Sequence, residues 1–515
     1  MTLNQEKIFP ALANPNQALY VKTNGELGVK GGADIKAIIP AIPVAAFGDP
    51  AFKTEYNLKY AYVGGAMVGG ISSRKMLKTL AEGGCLGIFG ASGLTPPKVE
   101  DEVAALNREL NSQSFGSCLI HTPHDPLWEE KVVEIYLKHG IRVIEASAFV
   151  QITPQLVRYR LKGVTRRPDG SLNIPNHILA KVSRLELARR FFSPPPEKMV
   201  KIALEQGWIT SEEAALAPYL PMAGDLTAEA DSGGHTDFRP ALTLWPAMVN
   251  AAKEFSSKHK YQSPLRVGAA GGIGTPWALL TACEVGAAYF VTGSINQACL
   301  ESGLAPAGRE LLAKASQSDV VQGPAADMFE LGAKVQVLKF GTLYAMRAQK
   351  LAEAYKQYAS LEEIPPAERD NIETQIFKQP LTEIWAQTQA FFVERDPVQA
   401  ERAAKDPKFK MALVFRWYLG QSSRWAISGA EDRRPDWQIF CGPAMGAFNE
   451  WAKGTVYEQV ENRRVMDLAL NLFYGAAILM RQNLAVAVGL LPFDTVPAIK
   501  PQPFEKIKPY IQPSA

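Results

Sequence analysis

The strongest constraint on this chain is a series of eight short apolar segments separated by longer stretches of helical character. They are Tyr60–Gly64, Leu86–Ala91, Phe115–His121, Arg142–Phe149, His177–Ser183, Leu226–Ala230, Leu265–Gly272 and Tyr289–Ser294. Most are continuously apolar and rich in Val, Ile and Gly, the pattern of parallel strands buried on both faces. Eight such strands alternating with helices favour an α/β fold of the (β/α)8 TIM-barrel kind over a doubly wound sheet. Punctuation between them agrees. Pro194–Gln206 reads as a helix opened by Ser193, with proline in its first turn, and stopped by Gly207; Thr210 and Glu213 have capping-box spacing.

Ahead of the barrel, ALYVK and LGVK flank Thr23-Asn24-Gly25-Glu26, a hairpin signal because Asn-Gly tolerates positive φ. Residues 1–50 therefore read as an N-terminal extension with a hairpin and 51–300 as the barrel. From about residue 300 the strand signal stops. Residues 301–465 read as a mainly helical subdomain, and 466–515 as C-terminal helices that can pack back on the barrel. Within the subdomain, Leu343, Met346, Leu351, Tyr355 and Tyr358 lie near helical spacing, predicting a helix over Thr342–Tyr358.

Composition narrows the class of function. Of 515 residues, 47% are hydrophobic and 21% charged, enough for a sizeable core. Basic and acidic residues number 55 and 52, a balance that does not forecast nucleic-acid binding. The five cysteines are scattered without CxxC spacing and read as reduced thiols of a cytoplasmic protein, neither a disulfide frame nor a zinc site. The N-terminus lacks the apolar stretch of a secretion signal. Ile35–Phe47 is broken by Pro40 and Pro43, and Leu468–Met480 is too short to span a bilayer, so no membrane association is expected.

Chemistry concentrates at strand ends. The seventh segment ends in Gly271-Gly272-Ile273-Gly274-Thr275-Pro276 and the eighth in Gly293-Ser294. In barrels these two loops commonly hold phosphate, because glycine lets backbone N–H groups approach the oxygens. After the sixth segment, Glu229-Ala230-Asp231-Ser232-Gly233-Gly234-His235 makes a turn able to project a histidine over the barrel mouth, where it can exchange a proton near neutrality. Gly64-Gly65-Ala66-Met67-Val68-Gly69-Gly70 can lay main chain against a flat aromatic ligand, or be a plain flexible turn. His121, His124 and Asp125 invite a metal reading, but Pro123 and the absence of further ligands argue against one.

These motifs carry a family resemblance. GGAMVGG, EADSGGH, GAAGGIGTP and VTGSINQ are similar to the flavin-binding barrels of nitronate monooxygenases and FMN-dependent enoyl reductases. MFELGAKVQVLKFGT, starting at Met328, and CGPAMGAFN, starting at Cys441, resemble the trans-acting enoyl reductases of polyunsaturated fatty acid and polyketide synthases, the PfaD family. The resemblance implies an FMN barrel with a helical insertion. It would reduce the 2,3 double bond of an enoyl thioester on acyl carrier protein, with NADPH or NADH supplying electrons.

Carried over by position, Gly65, Ala66 and Met67 would line the flavin. Cys118 stands where relatives commonly have asparagine, and Lys181 matches a lysine that contacts FMN. Asp231, Gly233 and Gly234 belong to the same cofactor loop, Gly271, Gly272, Gly293 and Ser294 would hold the phosphate, and His235 matches the active-site histidine. Arg347, Arg424, Arg433 and Arg434 are candidates for docking the acidic carrier protein. The sequence leaves open a homodimer, a flavin oxidase of the nitronate monooxygenase type and a non-catalytic barrel within a synthase.

Overall fold

Strand propensity and burial on both faces produce the same eight strands in the computed structural model, which describes residues 5–511 apart from 33, 111–112, 124, 327 and 496–498. The strands are β1 (Tyr62–Gly64), β2 (Leu86–Phe89), β3 (Phe115–Ile120), β4 (Val143–Ser147), β5 (His177–Val182), β6 (Asp225–Glu229), β7 (Arg266–Ala270) and β8 (Phe290–Thr292). They run parallel in chain order and close into a barrel, with Phe290, Val291 and Thr292 of β8 opposite Tyr62, Val63 and Gly64 of β1.

Because side chains alternate along a strand, His177, Leu179 and Lys181 of β5 share one face. The middle of the barrel is apolar, with Val63, Leu86, Ile88, Val143, Leu179, Ala270 and Val291 in one cluster. Polar layers cap this cluster at both ends. At the N-terminal end Arg266 grips Asp225 at 2.6 and 2.8 Å and also pairs with Glu55, while the Tyr56 hydroxyl donates to Asp225 at 2.6 Å. At the C-terminal end stands Lys181.

The chain divides into two compact units: residues 1–231, 237–303 and 447–515 in one, and 232–236 with 304–446 in the other. In the first, Leu19–Lys22 pairs with Leu27–Gly28 across the Asn24-Gly25 turn, as the hairpin signal predicts. A third strand, Ile35–Ile39, joins on the other side of Leu19–Lys22 in the stretch that its prolines make look like a broken apolar run. The 23-residue helix Val465–Ala487 packs on the barrel through Phe473, which meets the rings of Tyr62 and Phe290 edge-on. Its Arg481 is fully buried and donates to the carbonyls of Gln17 and Pro40 at 2.7 and 3.2 Å. Among the described residues, no helix is long and apolar enough to cross a membrane.

One local reading is corrected. Ser193 is the C-cap of helix Leu185–Phe192, and the next helix begins only at Glu197, because three consecutive prolines delay it. The second unit is mainly helical, with one antiparallel hairpin, Val320–Pro324 and Lys334–Leu338, that the fading strand signal does not predict. Its core gathers Phe329, Val337, Tyr344, Leu351, Phe377, Phe415 and Tyr418, among others. Helix Tyr344–Gln357 buries Tyr344, Ala348, Leu351 and Ala352, while Leu343 and Met346 face solvent.

The Thr210–Glu213 capping box is formed, the Glu213 amide donating to the Thr210 hydroxyl at 3.1 Å and the Thr210 amide to the Glu213 carboxylate at 2.8 Å. Thr210→Ala is expected to cost about 1 kcal/mol, read as a lower urea midpoint, and Thr210→Ser to restore it. An unchanged midpoint in the alanine variant would show that the cap contributes nothing to stability.

Candidate active site

The C-terminal mouth of the barrel places a cation between two carboxylates. Lys181 Nζ lies 3.1 Å from Glu145 on β4 and 3.7 Å from Glu229 on β6. Burial alone would push the ammonium down, but the two carboxylates outweigh it and hold Lys181 charged, above its ordinary range. Glu145 is only 1% exposed, so Lys181 takes the place of water as its counter-group. It also accepts from the Ser147 hydroxyl at 3.3 Å. Cys118 lies opposite Glu145 in the β3–β4 ladder. Its thiol sits 3.3 Å from the Ser92 hydroxyl and is pushed up to about 11 by burial and by the Glu145 charge, so it is a neutral polar contact rather than a thiolate.

Main chain forms the other walls. The Gly65 amide donates to the Thr292 carbonyl at 3.0 Å, joining the first loop to β8. The Glu145 carboxylate reaches this loop as well, since a Cβ on Gly65 would lie 3.9 Å from its Oε2. Ala66 packs on the interior cluster, and the Met67 amide donates to the Ser72 hydroxyl at 2.9 Å. Gly90 lets the two loops meet: a Cβ there would fall 1.7 Å from the Met67 carbonyl oxygen.

After β7, Gly271 and Gly272 both have φ of 80°, a region that favours glycine. The helix Pro276–Glu284 follows, capped by Thr275. After β8, Gly293 caps the short helix Ser294–Gln297, and the Asn296 side-chain amide donates back to the Thr292 carbonyl at 3.1 Å. At Gly272 and at Gly293 a Cβ would meet nothing within 4 Å, so both backbones border open space.

The loop after β6 divides between the units. Asp231 stays with the barrel, its amide donating to the Arg239 carbonyl at 3.0 Å. Asp237 accepts from Ser183 at 2.5 Å and from Arg184 at 3.0 Å. Gly233, Gly234 and the half-buried His235 belong to the second unit. There the Gly234 and Gln336 backbones exchange two hydrogen bonds of 2.9 Å each.

Sequence reasoning missed Glu145 as a partner of Lys181, although a carboxylate inside an otherwise apolar strand was its available signal. In the HTPHD stretch, His121 Nδ1 lies 3.2 Å from Glu129 and the ring stacks on Phe149; His124 lies outside the described residues. Two of the docking arginines are internal. Arg347 pairs with the fully buried Asp436, and Arg433 lies 3.4 Å from the same carboxylate and donates to the Ile376 carbonyl at 2.9 Å. Arg424 is exposed, while Arg434 is half-buried and lies 3.4 Å from Glu431.

Comparison with solved structures matches this geometry. The crystallised enoyl reductase domain of MlnA, from the macrolactin biosynthesis cluster of Bacillus amyloliquefaciens, is covered over its full length (100%) by 86% of this chain, at 38% identity and a TM-score of 0.82. The chain belongs to the PfaD family of enoyl reductases. Among its relatives in sequence, a polyunsaturated fatty acid synthase subunit of Thraustochytrium sp. is 40% identical over 494 residues, 94% of this chain and 33% of that protein. The polyketide biosynthesis protein PksE of Bacillus subtilis is 42% identical over 444 residues, 86% of this chain and 58% of that protein. This PfaD-family chain thus spans a third to somewhat over half of these relatives' lengths. Residues 358–437 match the inserted helical domain of acyl-carrier-protein S-malonyltransferase. FabK of Thermotoga maritima, in a mutant form, shares the fold at 14% identity and a TM-score of 0.50.

Proposed function

We propose that the chain is an FMN-dependent enoyl reductase that uses NADPH or NADH to reduce the 2,3 double bond of enoyl groups carried on acyl carrier protein, in polyunsaturated fatty acid or polyketide biosynthesis. The observation that carries this reading is the 38% identity across the whole MlnA enoyl reductase domain. The names of the synthase relatives and the match of residues 358–437 support the carrier-bound substrate. On the helical unit, the exposed Arg424 and the half-buried Arg434 remain the candidates for meeting an acidic carrier protein.

The barrel mouth fits a flavin phosphate. Open space at Gly272 and Gly293 leaves their backbone N–H groups approachable to phosphate oxygens, while Lys181 on β5 offers the rest of the cofactor a buried cation. The barrel residues that would hold the group are Gly65, Ala66, Met67, Cys118, Lys181, Asp231, Gly271, Gly272, Gly293 and Ser294. Bound flavin supplies the hydride chemistry that side chains lack. The protein supplies orientation and a proton: His235 delivers one to Cα of the thioester, a task suited to imidazole near neutral pH.

The test is the visible spectrum of the purified protein, followed by NADPH under nitrogen. A flavin band that bleaches and returns on adding an enoyl thioester is expected. His235→Ala is expected to lower turnover about 10²- to 10⁴-fold with flavin still bound. A flavin that ignores NADPH and consumes oxygen with a nitronate would mark an oxidase instead, and failure to take up flavin would mark a scaffold.

A further inference from the structure

The late motifs MFELGAKVQVLKFGT and CGPAMGAFN carry the family resemblance without an evident task, and the second compact unit supplies one. Strand Lys334–Leu338 has Val320–Pro324 on one edge. On its other edge it takes two short segments: Gly234 bridges Gln336, and Phe440 bridges Val337. The turn that carries His235 is therefore attached to the edge of this hairpin.

Gln336 holds that turn through three bonds. Its amide donates to the Gly234 carbonyl and its carbonyl accepts from the Gly234 amide, both at 2.9 Å. Its side-chain Nε2 donates to the Ser232 carbonyl, also at 2.9 Å. The side chain is only 5% exposed, so water is a poor substitute for either partner. From another side, the Cys441–Gly442 main chain presses directly on the turn. A Cβ on Gly233 would fall 2.8 Å from the Cys441 nitrogen, and one on Gly442 would fall 2.8 Å from the Gly233 nitrogen. Only glycine at both positions permits this stacking of backbones. Cys441 is fully buried, with its thiol pushed up to about 12 by burial, so its part here is packing.

Ser232, Gly233 and Gly234 are thus fixed between Gln336 and Cys441–Gly442, and the next residue is His235. We propose that Gln336 is a positioning residue for His235, so that the hairpin acts as a bracket for the histidine. The proposal rests on the reading of His235 as the proton donor. Its physical basis is that a displacement of about 1 Å at a reacting group can cost about 10²-fold in rate. The two backbone bonds hold the turn at Gly234, and the Nε2 bond to Ser232 adds a point of attachment two residues earlier.

The experiment uses Gln336→Met, which keeps chain length and apolar volume but removes the donor. The chain has six histidines, so ring 13C–1H spectra of the flavin-loaded protein with labelled histidine are simple, and His235→Ala identifies the His235 signal by its loss. The expected result is a His235 signal that moves or splits while the remaining histidines keep theirs. Turnover should fall about tenfold to a hundredfold with KM for NADPH unchanged. The double variant with His235→Ala should then be no slower than His235→Ala alone, because the two residues act as one unit.

An unmoved His235 signal, or rate losses that multiply in the double variant, would overturn the proposal. If Gln336→Met does not fold, Gly233→Ala presses the turn off Cys441 and is held to the same outcomes. Full activity in His235→Ala would remove the histidine from catalysis, and the His235 signal alone then decides whether Gln336 positions it.

Discussion

Lys181→Met is expected to lower the unfolding free energy by about 3–5 kcal/mol, because it strips the counter-charge from a carboxylate with almost no access to water. Glu145 is 1% exposed and receives its closest cation, Lys181 Nζ, at 3.1 Å. The Ser147 hydroxyl at 3.3 Å is too weak a donor to replace an ammonium. Removing both partners should be far milder: Lys181→Met with Glu145→Leu puts apolar volume where an ion pair stood, and such exchanges are often neutral. Glu229 limits the recovery, since it loses the cation 3.7 Å away, but its side chain keeps 15% exposure and with it some solvation.

The pair of variants also separates folding from function. Stability should return in the double variant while flavin uptake stays weak, because the cation proposed to meet the cofactor is still missing. Urea midpoints and flavin titration on the same samples measure both. A single-variant loss below about 1 kcal/mol would place Glu145 in contact with water and remove the basis for treating this layer as a buried charge site.

Legibility in the sequence follows the range of the forces involved. The eight barrel strands were readable because most are continuous apolar runs, and burial on both faces is a property of the segment itself. The reading of Arg142–Phe149 exceeds the strand Val143–Ser147 only at its ends. The Asn24-Gly25 turn and the Thr210 capping box were readable for the same reason, since their partners lie within a few residues. Lys334–Leu338 was missed because it is a short strand in a region whose other segments read as helix. Helix Tyr344–Gln357 was found, but its buried face is built partly on Ala348 and Ala352, which a search for large apolar residues passes over in favour of Met346.

The site shows the same division. His235, Lys181 and the glycine loops are visible as residue types in suggestive places. Glu145 stands out locally as a carboxylate in an apolar strand, but its pairing with Lys181 and the Gln336 bracket join residues far apart in sequence, 104 residues in the case of Gln336 and Ser232. Arg347 reads as a surface cation for this reason, since Asp436 lies 89 residues away. Arg433 has Asp436 three residues on, but the Ile376 carbonyl that helps draw it inside is 57 residues back.

Arg266→Met is expected to produce a loss similar to that of Lys181→Met at the opposite end of the barrel, again about 3–5 kcal/mol. Asp225 is 2% exposed and is held by Arg266 through both carboxylate oxygens at 2.6 and 2.8 Å. With the guanidinium gone, only the Tyr56 hydroxyl at 2.6 Å remains as a strong donor, which leaves a buried charge unpaired. The same layer gives the stability a defined dependence on pH. Burial would raise the Glu55 carboxyl, but His177 and Arg266 outweigh it and hold the group at about 2, below its ordinary value of 4.5. A depressed carboxyl contributes stability that is complete above the unfolded value and is lost as pH falls toward the folded one. The contribution of Glu55 should therefore decline between pH 4.5 and about 2. Urea unfolding of wild type and Glu55→Gln across this range measures it: the two curves should differ most near neutral pH and converge as the medium becomes acidic. Parallel curves would show that Glu55 titrates alike in the folded and unfolded chains, and that the Arg266 layer is held by Asp225 alone.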